Sequence, residues 1–161
     1  MAYLIEVAHT KHRFLSSLNN IIVVHRIDPT YIQTWRIDDS EEDPFKFIRS
    51  TNNNALYLVS PNIHGNQAFI VPFGALQDID LAKWRLSNVH EVYDTEHAGA
   101  NEHDACLFIQ PKLMPDHELG VNRESTHNDA TVILWNHQGI QVAEPRNQMW
   151  LLKATINQQA A

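Results

Sequence analysis

Residues Ile21–Ile37 read IIVVHRIDPTYIQTWRI. Two runs rich in β-branched and aromatic side chains flank Asp28-Pro29-Thr30. Such side chains fit a pleated, half-buried surface. Proline cannot donate to a β-ladder and suits a turn. The stretch therefore predicts two strands joined as a hairpin, and with it an antiparallel sheet.

The same pattern recurs in both directions. Ala2–Ala8 sets Tyr3, Ile5 and Val7 against Leu4, Glu6 and Ala8, which is strand alternation. Ala55–Val59 and Gln67–Val71 are apolar segments separated by SPNIHGN. Pro61 and Gly65 make that separator a loop, so a second hairpin is expected. Val89–Tyr93, Ala105–Ile109, Ala130–Trp135 and Gln148–Ile156 also read as strands.

Two or three short helices are expected between them. Thr10 can cap Lys11–Leu18, with Phe14 and Leu18 one turn apart. Asp43-Pro44 resembles an N-cap followed by proline at the first helical position, leading through Phe45, Phe47, Ile48 and Arg49. Asp78 or Asp80 can cap a helix carrying Leu81, Trp84 and Leu86. Eight or nine strands follow one another without long crossover helices. The expected fold is α+β, predominantly antiparallel β, as a twisted sheet or barrel-like roll with two or three short helices, in one domain over 1–161.

Charge narrows the partners. The chain of 161 residues carries net charge −7, and both halves are acidic. Its longest basic run is Lys11-His12-Arg13. Phosphate backbones and anionic membranes both demand clustered Lys and Arg, so nucleic acid and membrane partners are not expected. One cysteine, Cys106, excludes an intramolecular disulfide. It stands in Ala-Cys-Leu-Phe-Ile and reads as a small buried hydrophobe. The N-terminal MAYLIEVAHTKH lacks a basic start and an apolar core, so a soluble, cytoplasmic protein is expected. Charged residues make up only 19%, a surface that favours self-association as a homo-oligomer.

The ten histidines are the chain's compositional peculiarity. His90, Asp94, His97 and His103 stand close in sequence, with Glu102 and Asp104 as further oxygen donors. Neutral imidazole is the commonest metal ligand, so this loop is the candidate site for a divalent transition metal; a solvated loop with no cofactor is the alternative. Asp94 with Gln110-Pro111-Lys112 also superficially resembles restriction-type nuclease centres, where an acid and a strand residue hold a metal and a lysine orients water. Pro111 and the absence of a basic surface count against it. A second polar stretch, Pro115–Asp129, contributes His117 and His127 and is expected as one long connection. Trp84, Trp135 and Trp150 sit in apolar patterned segments and are expected in the core. Trp35 alternates with Tyr31 and Gln33 on a strand flanked by polar residues; a core position is the favoured reading and a pocket or interface the alternative, and on the latter Trp35, His117 and His127 are the candidate ligand-binding residues.

No pattern identifies a catalytic residue. The favoured function is a non-catalytic, self-associating domain that binds a small molecule or a protein. The rival is a small metal-dependent hydrolase built on residues 90–104.

Overall fold

The computed structural model describes residues 2–52, 56–88, 106–136 and 146–155. Its twelve strands among these residues fall into three sets of four. The first set is β1 (Ala2–Val7), β2 (Phe14–Leu18), β3 (Ile21–His25) and β4 (Trp35–Asp39). The second is β5 (Lys46–Ser50), β6 (Leu56–Val59), β7 (Phe69–Pro72) and β8 (Lys83–Asn88). The third is β9 (Cys106–Pro111), β10 (His117–Val121), β11 (Ala130–Asn136) and β12 (Trp150–Ala154).

In each set the first and last strands build a barrel and the middle two build a hairpin. The barrel closes through antiparallel pairs β1–β4, β4–β5, β5–β8, β8–β9, β9–β12 and β12–β1. The hairpins are β2–β3, β6–β7 and β10–β11. They meet one another over one end of the barrel. Val24 pairs with Ala130, Ile21 with Phe69, and Gln67 bridges Ile133.

The core repeats three times in residue type and in register. Ile5, Ile48 and Ile109 are each followed ten positions later by a leucine: Leu15, Leu58 and Leu119. All six are fully buried. Trp35 and Trp150 open the fourth strands of their sets, Trp84 is the second residue of β8, and all three are fully buried. Their indole N–H groups donate to the main-chain oxygens of Leu15, Leu58 and Leu119, each at 3.0 Å. Two residues further on, Ile37, Leu86 and Leu152 pair on the neighbouring barrel strands with Ile48, Ile109 and Ile5. Burying an indole removes about 150–250 Å² from water, roughly 4–6 kcal/mol of transfer free energy for each of the three.

Several expectations need correction. The α+β assignment does not hold, because the only helical segments among the described residues are 3-10 turns of three or four residues. Lys11–Leu18 is not a helix: Phe14–Leu18 is β2, and it supplies the hairpin partner of Ile21–His25 that Tyr31–Ile37 was expected to provide. Phe45–Arg49 is not a helix either, since Lys46–Ser50 is barrel strand β5. Asp78 does cap, its side chain accepting from Asp80 N, but it caps the 3-10 turn Ile79–Ala82 that runs directly into β8. Pro115–Asp129 is not one long connection, because it contains β10. The hairpin across SPNIHGN forms as expected, with Leu58 opposite Ile70. No helix among the described residues is long and apolar enough to cross a membrane.

Candidate functional site

The hairpin registers make the three sets comparable residue by residue. Leu119 pairs with Leu134, Leu15 with Val24 and Leu58 with Ile70. The next residue on each third strand, on the opposite face, is therefore Trp135, His25 or Val71. Trp135 is 41% exposed, unlike the three core tryptophans. Three residues past the carbonyl-bearing leucine come Leu18, Pro61 and Asn122. Three residues before the core tryptophan come Ile32, Leu81 and Asn147. The third set alone carries an open indole together with two carboxamides.

These side chains surround a cleft of about 370 Å³, lined by Asn122, Arg123, Glu124, Ile133, Trp135 and Asn147 together with Gly120 and Val121. Asn147 lies in the turn Arg146–Gln148 ahead of β12, and its Nδ2 donates to Val121 O at 3.1 Å. Gln148 is buried, with Nε2 donating to Asn136 O at 3.0 Å and Oε1 lacking a donor among the described residues. Gly120 permits this approach: a Cβ there would stand 2.8 Å from Gln148 Cγ and 3.3 Å from Asn147 O. Arg123 and Glu124 on the rim both hold φ near 54°, the left-handed region that is costly for residues with a side chain.

A second hairpin reaches the same indole. Gly65 N donates to Leu134 O at 2.6 Å and Leu134 N to Asn66 O at 2.9 Å, which docks the β6–β7 loop on β11. His64 is thereby laid against Trp135, with ring centroids 4.4 Å apart. His64 Nδ1 lies 3.0 Å from His117 Nε2, and His117 Nδ1 lies 2.8 Å from Asp116 Oδ1. A carboxylate only accepts, so His117 Nδ1 carries the proton. In the neutral pair His117 Nε2 is then the acceptor and His64 Nδ1–H the donor. The hydrogen bond from His117 holds the Asp116 carboxyl below the ordinary carboxylate range.

The expected site residues are scattered. His117 is buried at this hydrogen-bonded chain, beside the cleft's tryptophan. His127 is exposed in the loop before β11 and does not line the cleft. Trp35 has no exposed surface, and its N–H is engaged by Leu15 O. Trp135, expected in the core, is instead the exposed ring. His90, Asp94, His97 and His103 lie outside the described residues, as does the strand expected at Val89–Tyr93. Among the described residues no group of three or more His, Cys, Asp or Glu could hold a metal ion. Lys112 of the nuclease-like pattern is bound by Glu42 at 2.5 Å and Asp80 at 3.1 Å, and Gln110 accepts from Ser87. Cys106 is buried, as its apolar context implied. Sequence reasoning missed Trp135, Asn122, Asn147 and His64. The available signal was strand alternation in Ala130–Trp135, which puts Trp135 on the face opposite Val132 and Leu134.

No protein-family model matches the chain, and no curated protein matches it. Solved structures match over nearly its whole length. A designed 3-fold symmetric protein, ThreeFoil, is 17% identical with a TM-score of 0.73, covering 96% of this chain and 99% of that one. The Macrolepiota procera ricin B-like lectin, solved with lactose, is 15% identical with a TM-score of 0.66, covering 96% of each chain. The C-half of an earthworm R-type lectin, solved with GalNAc, is 16% identical with a TM-score of 0.62, covering 96% of this chain and 98% of that one. At these identities the likeness concerns the fold: the chain is a predominantly antiparallel, β-trefoil-like barrel of the kind found in these lectins.

Proposed function

We propose that the protein is a carbohydrate-binding domain and that the third-set cleft is its binding site. The observation that carries this is the departure of that set from its own two counterparts. Where they present Leu18 with Ile32 and Pro61 with Leu81, it presents Asn122 with Asn147 beside an open indole. A sugar ring has apolar C–H faces and a rim of hydroxyls. An exposed indole offers a flat apolar surface for the face. Carboxamides both donate and accept, which suits hydroxyls. Few polar groups placed around an apolar floor are the ordinary anatomy of a small-molecule site. The fold likeness to lectins solved with lactose and with GalNAc supports the same reading.

A glycan array probed with the full chain, followed by calorimetry on the best ligand, tests it. Trp135→Ala should keep the fold by circular dichroism and weaken binding at least tenfold, the loss expected of a central aromatic contact. Wild-type protein silent towards every glycan, or Trp135→Ala binding undiminished, would refute the assignment.

A further inference from the structure

We propose that His64 and His117 form a two-imidazole site for a divalent transition metal, with Asp116 as the carboxylate that orients His117. This site stands on its own geometry, whether or not the neighbouring cleft takes a sugar. The two nitrogens are brought together by separate hairpins, His64 from the β6–β7 loop and His117 from the start of β10. Their separation is 3.0 Å. Two nitrogens about 2.0–2.1 Å from one ion stand roughly 3.3 Å apart at a tetrahedral angle and roughly 2.9 Å apart at a right angle. The hydrogen bond already holds the two nitrogens within the range that two ligands of one ion span, and imidazole suits Cu(II), Ni(II) and Zn(II) alike.

Two further features fit. Metal-binding histidines commonly donate their other ring N–H to a carboxylate, which fixes the tautomer and raises ligand basicity. His117 Nδ1 makes that bond to Asp116 at 2.8 Å. The His64 ring is exposed, so an ion has access from solvent. On binding, the His64 proton would move from Nδ1 to Nε2 by way of solvent, leaving a neutral imidazole with Nδ1 free to ligate, and the imidazole–imidazole hydrogen bond would give way to two nitrogen–metal bonds. Water completes the coordination, since no third protein ligand converges among the described residues.

The test is titration of the untagged full chain with CuSO4 or NiCl2, followed by calorimetry and tryptophan fluorescence. Contact between His64 and Trp135 places the ion near an exposed indole, so Cu(II) should quench that emission in wild type, and the quenched component should be missing in Trp135→Phe. His64→Ala, a change at an exposed position, should weaken this binding at least tenfold, as should His117→Gln. Asp116→Asn should cost 10- to 100-fold, the usual loss for an orienting partner. No metal bound by wild type would overturn the site. Equal affinity and equal Trp135 quenching in His64→Ala would also overturn it, assigning the metal to other histidines.

Discussion

Each core tryptophan commits its single N–H to the main-chain oxygen of a leucine on the second strand of its own set. The bond fixes the indole's rotation and satisfies a carbonyl that has no access to water. Trp35→Phe removes the donor together with the part of the indole that a phenyl ring cannot fill, so the loss of the hydrogen bond sets a lower bound on the cost. The buried Leu15 oxygen then goes unpaired, which alone is expected to cost about 1–3 kcal/mol. Urea denaturation checks this, and an unchanged midpoint would mean that another group or a water takes over the carbonyl. The inward role of Trp84 and Trp150 was legible from their apolar surroundings. That of Trp35 was less so, because Tyr31, Gln33 and Arg36 nearby suggest a polar rim. Trp135 was misread for the converse reason. It ends an apolar run, and composition alone does not say which of two alternating faces is buried.

At the scale of elements, four charges close into a ring that ties three segments together. Lys83 Nζ lies 3.0 Å from both Glu42 and Asp80, and Lys112 Nζ lies 2.5 Å from Glu42 and 3.1 Å from Asp80. The ring joins the β4–β5 turn, the 3-10 turn before β8 and the end of β9. Hydrogen bonds from Lys112 and Lys83 hold the Glu42 carboxyl below its ordinary 4.5, and those from Lys83 and Lys112 hold Asp80 below 3.8. The partner carboxylates raise both lysines above 10.5. A depressed carboxyl stabilises the fold above its unfolded pKa, and that stabilisation is lost as pH falls through the folded value. A raised ammonium does so below its unfolded pKa and loses it as pH rises through the folded value. The ring is therefore intact through neutrality and fails at both extremes. Glu42→Gln should lower the melting temperature by a few degrees at pH 7. That difference should shrink in acid below 4.5 and in high salt, where exposed pairs are screened. A difference independent of pH and salt would trace the effect to packing instead. Element type was legible where local and tertiary preferences agree, as in Leu56–Val59 and Phe69–Pro72. It was illegible at Phe14–Leu18, whose Phe14 and Leu18 satisfy a helical spacing equally well. Only the ladder to Ile21–His25 decides for strand. Asp43-Pro44 misled in the same way, carrying a helix-start signature ahead of β5.

Across the whole molecule, the internal threefold was written in the sequence but thinly. The ten-residue step from Ile5 to Leu15, Ile48 to Leu58 and Ile109 to Leu119 involves two residues per set. Gln33-Thr34-Trp35 and Gln148-Met149-Trp150 share a Gln-x-Trp pattern, but the middle set has Ala82-Lys83-Trp84. Loops of unequal length separate the landmarks, so the repeat becomes plain only when the ladders supply the register. Selection of one set for polar chemistry was still harder to see, because it depends on which residues are equivalent. Under the proposed function, that same inequality sets the valency. A receptor with one sugar pocket is univalent, while cross-linking of cells requires at least two pockets on one particle. If the third-set cleft is the sugar site among the described residues, the isolated chain should bind one glycan per molecule in calorimetry and coat glycoproteins without clumping them. Agglutination at concentrations where the chain is monomeric would reveal a second pocket on a face where Leu18 with Ile32 or Pro61 with Leu81 now stands.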